Sequence, residues 1–183
     1  MWIGRWFLGK DIRDYGDGNP GAANVFRAGG RKLFCLALIL DMAKGVPFVF
    51  LAHSFWGLSE IVVMVVALSA ILGHAFSPLL GFRGGKSLAV TFGVLFALPH
   101  YEILFAFIIF LLIGFLFMEN HAWIVMLGAV GSLAYLVTTK GTSWESLFML
   151  CVLAILAVKH FNDLQTIPRS KVRVLAWIQS RRR

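Results

Sequence analysis

Charge is what this chain has least of. Asp, Glu, Lys and Arg make up 14% of its 183 residues and 59% are hydrophobic, with a mean hydropathy of +0.81. A soluble domain carries about 25% charge. So few polar side chains cannot cover a surface in water, which excludes a soluble globular domain and makes lipid the solvent. Acids are scarcer than bases, 9 against 17. In so apolar a chain the surplus of base fits membrane lipids of anionic headgroup or a phosphorylated substrate better than nucleic acid. Cysteine is scarcer still. Cys35 and Cys151 lie inside apolar stretches without metal-ligand spacing, so neither a disulfide framework nor a metal site is expected. Met1 to Leu8 is apolar but too short for a signal peptide, and it has no cleavage site.

What is there is a series of apolar runs, at about residues 33–52, 58–80, 88–98, 103–118, 122–138 and 146–158. The opening, 1–9, reads as the last part of one more. Breakers and charges cluster between them, at 10–32, 53–55, 81–86, 99–102, 119–121 and 140–143. This pattern predicts an all-α polytopic transmembrane bundle of six or seven spans. The 88–98 run is short for a span and predicts a tilted, half-buried or re-entrant helix. One membrane-embedded unit is expected over 1–168, followed by a basic tail over 169–183. The tail mixes Val172, Val174, Leu175, Trp177 and Ile178 with six basic residues, as suits a helix lying on an anionic leaflet.

Alternating the loops across the bilayer separates the bases sharply. One side receives Lys10, Arg13, Arg27, Arg31, Lys32, Arg83, Lys86, Lys159 and all six bases of the tail; the other holds only Lys140. By the positive-inside rule the crowded side is cytoplasmic, as expected at a bacterial plasma membrane.

Two cytoplasmic loops carry chemistry. The first contains GDGNPGAANVFR, residues 16–27. Its glycines let backbone N–H groups approach a ligand, and Asn19, Asn24 and Arg27 add directed donors. Gly16-x-Gly18-x-x-Gly21 fits a dinucleotide fingerprint in form only, because no strand precedes it. The competing reading is a flexible loop, which does not require those donors. The second loop, GFRGGKS over 81–87, is one residue short of a Walker A motif. Gly84 and Gly85 still free the backbone, Arg83 and Lys86 bring charge, and the helix starting just after turns its positive end to the same side. The alternative is ordinary positive-inside decoration, which needs no paired glycines. FRAGGRK at 26–32 echoes the second loop, a similarity read as chance rather than repeat.

Further polar residues leave their roles open. Asp41 and Lys44 lie one helical turn apart and are expected to pair inside the bundle, either as a structural ion pair or as a wall of the site. His74 reads equally as packing or as function. His160, in VKHFND beside Asn162 and Asp163, suits an acid–base group, a phosphate donor or a partner of the helix dipole.

In order, these stretches resemble the bacterial acyl-phosphate:glycerol-3-phosphate acyltransferase family (PlsY-type). KDIRDYGDGNPGAANVFR resembles its first motif, LDMAKGVP its second span, ILGHAFSPLLGFRGGKSLAVTFG its second motif, and VKHFNDLQ, less closely, its third. The likeness runs from about Gly9 to Pro168. It implies a seven-span enzyme, without cofactor or metal, that moves an acyl group from acyl phosphate to the hydroxyl of glycerol 3-phosphate. By resemblance, Arg27, Lys86 and His160 are its catalytic residues. Arg27 and Lys86 would hold phosphates and His160 would orient substrate or move the proton. Asp17, Gly18, Asn19, Asn24, Arg83, Gly84, Gly85 and Asn162 would bind substrate, in one cytoplasmic cleft.

The departures from the family pattern are specific. Its serine between the first motif glycines is Asp17, the glycine after the motif lysine is Ser87, the asparagine three beyond the histidine is Asp163, and the following arginine is Thr166. The serine-rich start of its sixth span is NHAWIV, 120–125. A carboxylate about 5 Å from a phosphate opposes it by roughly 3 kcal/mol at an effective dielectric of 20. Asp17 is therefore expected to pair with Arg27, Lys86 or protonated His160. The other readings are a weakened paralogue that binds acyl phosphate or anionic lipid, and a small transporter. The second is disfavoured because the polar residues gather at one edge of the membrane.

The charge asymmetry makes a topological prediction. Single cysteines placed in 10–32, 81–86 or 169–183 of the chain in intact cells should resist an impermeant maleimide and label only after lysis. External labelling of any one of the three overturns the assignment.

Overall fold

In lipid a backbone must satisfy its own hydrogen bonds, and the apolar runs do so as helices. The computed structural model describes residues 2–168, and the tail expected at 169–183 lies outside them. Helices α1 (Trp2–Leu8), α2 (Ala22–Arg27), α3 (Arg31–Ala43), α4 (Val46–Phe50), α5 (Glu60–Ala75) and α6 (Leu88–Ala97) belong to one unit, Met1–Tyr101. Helices α7 (Tyr101–Phe117, but for its first residue), α8 (His121–Lys140) and α9 (Trp144–Leu164) belong to a second, Glu102–Arg183. Among the described residues, four segments are long and apolar enough to cross a membrane: Arg31–Phe55, Glu60–Leu80, His121–Lys140 and Trp144–Leu164. Leu88–Ala97 and Tyr101–Phe117 are shorter apolar helices. Helix α1, with 7 residues, is too short to span a membrane.

The helix boundaries depart from the sequence expectation in three places. The break foreseen at 53–55 falls slightly later, at 56–59, since helix continues through Leu51–Phe55 as a π-turn closed by Trp56 N–H to Leu51 O. A further interruption, not foreseen, falls at Lys44 and Gly45, between α3 and α4, where Pro47 in the first turn of α4 has no N–H to continue the ladder. The last span is longer than its apolar run, because Glu145 at one end and Lys159–His160 at the other remain helical.

Helix α6 is the half-buried helix of the first unit. At 10 residues it rises about 15 Å, half a hydrocarbon core. It packs against α3, α4 and α5, with Val90, Val94 and Leu95 fully buried. Glycines permit the close approach: a Cβ on Gly93 would stand 2.0 Å from Met42 O, and one on Gly45 2.5 Å from Val94 Cγ2. Around α2 a second cluster of Ile12, Ala22, Val25, Ala28 and Ala37 anchors the first glycine loop to α1 and α3.

In the second unit Gly128 and Gly131 of α8 face Leu111 and Phe110 of α7 where no side chain would fit. The opposite face of α7, with Phe105, Ile109, Leu112 and Leu116, is exposed, as lipid contact requires. Its charges are stapled. Lys140 Nζ donates to Glu102 Oε1 at 2.6 Å and to Glu145 Oε1 at 2.7 Å, joining the ends of three helices. Glu145 is buried, so the hydrogen bond from this ammonium is made out of water. Lys140→Met should cost about 1.5–3 kcal/mol, read as a lower thermal midpoint in detergent. Adding Glu145→Gln should recover part of the loss, and an unchanged midpoint for Lys140→Met would refute the staple.

Candidate active site

The first glycine loop is built around Asn24. Its side chain is buried on α2 and fully engaged: Nδ2 donates to Asp17 Oδ1 (2.8 Å) and Asn19 O (2.9 Å), while Oδ1 accepts from Arg27 Nη1 (2.7 Å). Arg can only donate, so this bond fixes which way the amide points. Gly16, at φ +62°, passes so close that a Cβ would sit 2.3 Å from Arg27 Nη1 and 2.5 Å from Asn24 Oδ1. Only glycine fits there. Gly18, also at positive φ, closes the turn through its N–H to Tyr15 O. Asn19 N–H caps Asp17 Oδ1 at 3.2 Å. Asn19 Oδ1 is buried with no hydrogen-bond partner among the described residues, an acceptor that a donor group would satisfy.

Beside this loop, Asp11 receives Arg5 and Arg13, each at 2.7 Å. Hydrogen bonds from Arg13 and then Arg5 hold its carboxyl well below the usual range. Arg5, in the last turn of α1, thus serves the loop.

The second loop leaves α5, turns through Pro78–Leu80 and reaches Gly84 and Gly85, both buried. Arg83 donates its N–H to Leu80 O and leaves its side chain exposed. Ser87, where the family has glycine, still takes the left-handed conformation at φ +62° as the N-cap of α6. This backbone costs a side-chain-bearing residue about 1 kcal/mol. It is held by Thr91, whose N–H and Oγ1 both donate to Ser87 O.

The two loops meet at Asp17. Lys86 Nζ lies 2.5 Å from Asp17 Oδ2, and Arg27 Nη1 3.8 Å from Oδ1. Burial alone would raise this carboxyl, but the Lys86 ammonium, the Asn19 N–H and the Asn24 amide hold it down at about 2. The expected neutralisation is therefore present, chiefly through Lys86. With the folded value depressed, the pairing stabilises the protein above the ordinary 3.8 and is lost as pH falls through about 2. Across pH 5–9 it does not titrate.

Asp41 pairs with Lys44 Nζ at 2.6 Å, as its spacing predicts. The two were expected to face inward together, but only Asp41 does. The Lys44 side chain is 55% exposed, its long stem reaching back to the carboxylate. His160 and Asn162 belong to the second unit. His160 is buried on α9 and its Nδ1 donates to Leu156 O at 2.9 Å, which fixes the proton on that nitrogen. Asn162, two residues on, is exposed and does not share its face, whereas Asp163 lies at i+3. Two of the departures touch each other: Asn120 Nδ2 donates to Thr166 Oγ1, and Trp123 Nε1 to Thr166 O, tying the start of α8 to the end of α9. No spacing rule joins residues 120 and 166, so the sequence reading missed this contact.

The family model for glycerol-3-phosphate acyltransferases matches residues 1–169. The chain belongs to this family. The glycerol-3-phosphate acyltransferase of Neisseria gonorrhoeae (strain NCCP11945) is 35% identical over 173 residues, 92% of this chain and 86% of that protein. That of Listeria monocytogenes serotype 4a (strain HCC23) is 29% identical over 188 residues, 97% and 89% of the two chains. Among solved structures, PlsY, an integral membrane glycerol 3-phosphate acyltransferase, aligns in its glycerol 3-phosphate form with a TM-score of 0.75 and 27% identity. It covers 92% of this chain and 80% of that one. The lysophosphatidic acid form of PlsY aligns at 0.71, covering 88% and 78%.

The site geometry distinguishes a competitor from a base at Asp17. A carboxylate that accepts from Lys86, Asn19 and Asn24, with its pKa near 2, is too weak a base for an alcohol. It instead occupies the cations that a phosphate would need. Asp17→Ser should tighten inorganic phosphate binding, measured calorimetrically on the purified protein, by about tenfold and at most the hundredfold that roughly 3 kcal/mol allows. Weaker binding by the variant would show that the carboxylate organises the site rather than competing for it.

Proposed function

We propose that the protein transfers the acyl group of an acyl phosphate to the hydroxyl of glycerol 3-phosphate, giving lysophosphatidic acid and phosphate. The observation that carries this reading is the meeting of Arg27, Lys86 and Asn24 at one anionic group, at the positions of the family's two glycine motifs. In the reaction the acceptor oxygen bonds to the acyl carbon, the carbon–oxygen bond to phosphate breaks, and the hydroxyl proton leaves to a phosphate oxygen. Arg27 and Lys86 hold phosphate charge and oppose the charge that develops at the carbonyl. Gly18, Gly84 and Gly85 keep the two loops free of side chains beside the ligand, while Asn19 and Arg83 assist in binding. His160, whose Nδ1 donates to Leu156 O, orients substrate or moves the proton, the role its match to the family's last-span histidine supports. Positioning the two substrates supplies much of the rate, since the acceptor's own phosphate can take the proton. The excess of basic residues in the loops on one side supports a bacterial plasma-membrane location with this site and the C-terminus cytoplasmic.

A second reading, binding without turnover, draws on Asp17, which already fills the anion site. One assay separates them: purified protein with labelled acyl phosphate and glycerol 3-phosphate, scored for lysophosphatidic acid. Product should form, and Lys86→Ala or Arg27→Ala should lower kcat/KM by about 100-fold or more. Saturable phosphate binding with no product in the parent would establish the second reading.

A further inference from the structure

His74 is the residue the sequence left undecided, and it lies beneath the second glycine loop. It stands next to last on α5 with its side chain 8% exposed. Its backbone carbonyl accepts the Gly85 N–H at 3.2 Å, and a Cβ on Gly84 would stand 1.9 Å from that same oxygen. Its ring fills the space beside the next glycine, where a Cβ on Gly85 would come within 2.2 Å of Nε2. Both glycines are bare because His74 occupies the room their side chains would need. Lys86 follows at once, with its ammonium on Asp17.

The other edge of the ring looks to α3. His74 Nδ1 lies 3.9 Å from Asp41 Oδ1, beyond hydrogen-bond length but close enough for the carboxylate to favour an N–H on that edge. Lys44 pairs with the same oxygen at 2.6 Å. A polar line thus runs from Lys44 through Asp41 and His74 to Gly85 and Lys86. An apolar side chain would fill the space under the loop at lower cost, so the placement of a carboxylate against this ring points to orientation rather than packing.

We propose that Asp41 and His74 are a positioning pair. Asp41 fixes the His74 ring, and the ring and carbonyl of His74 hold Gly84–Gly85 so that Lys86 meets the phosphate. This role rests on the acyl-transfer reading, and neither residue touches the reacting atoms. The test compares Asp41→Asn, His74→Phe and His74→Asn in the purified full chain; the amide nitrogen of the asparagine stands where Nδ1 does. Asp41→Asn and His74→Phe should raise the KM for the phosphate substrates about tenfold or more, the scale of effect expected of a small misplacement, with kcat and thermal midpoint little changed. His74→Asn should fall between His74→Phe and the parent, because it keeps a donor toward Asp41 but leaves the space beside Gly85 empty. Parent-like kinetics for His74→Phe would reduce the ring to a spacer, and a joint fall of kcat and midpoint in every variant would reduce the pair to packing; either overturns the proposal. If the parent itself makes no product, the acyl-transfer reading fails, and hydrogen exchange decides the pair separately. Faster exchange at Gly84–Lys86 in Asp41→Asn and His74→Phe, with α5 and α6 unchanged, supports it, and unchanged exchange there refutes it.

Discussion

A protein dissolved in lipid must settle its charges with itself, and this constraint shapes every polar feature of the chain. Water is not at hand to solvate a buried carboxylate, so each must find a cation or a set of donors within the fold. Asp11 takes Arg5 and Arg13, Asp41 takes Lys44, and Glu145 with Glu102 takes Lys140. Asp17 takes Lys86, with Asn24, Asn19 and a more distant Arg27. The Asp11 and Lys140 groups tie elements together, and the Asp41–Lys44 pair closes one turn at the end of α3. The Asp17 group uses up the cations of the proposed anion site, so there the same constraint bears on function.

The glycine loops follow from the need to bring backbone and cation to one point. Gly16 leaves room for the Arg27–Asn24 contact, and Gly84 and Gly85 leave room for His74. In the second loop the fold tolerates a substitution because the conformation is over-determined. Ser87 keeps a left-handed backbone that favours glycine, fixed by two bonds from Thr91 and by burial against α5. A family position can therefore lose its glycine without the loop losing its shape.

Hydropathy made the fold largely legible, because a helix in lipid needs little more than length and apolarity. The failures have particular causes. The break at Gly45 lies inside an apolar run, and its signal was Pro47 two residues on, which outweighs hydropathy through its missing N–H. Histidine and serine at 53–54 imitate a loop in composition, yet the backbone passes them as a π-turn. Within the site, motif spacing pointed to Asp17, Asn24, Arg27 and Lys86, and the sign of the Asp17 charge implied its partner. Contacts that depend on tertiary placement had no linear signal. The Gly85–His74 contact spans a loop of irregular turns, and Asn120–Thr166 joins the two ends of a helix pair.

What Asp17 does to the proposed reaction follows from when its charge acts. Arg27 and Lys86 bring two positive charges to the site, and the carboxylate cancels one of them. A phosphate entering must displace Asp17 from Lys86 or share that ammonium with it. It faces the cost on binding, before any bond is made, and the cost persists because the phosphate keeps its charge through the transition state. A penalty equal in ground and transition states raises KM and leaves kcat alone. Asp17 is ionised throughout the physiological range, so the effect is constant with pH. The aspartate therefore sets the substrate concentration at which the site fills, while leaving the chemistry to the groups it has borrowed.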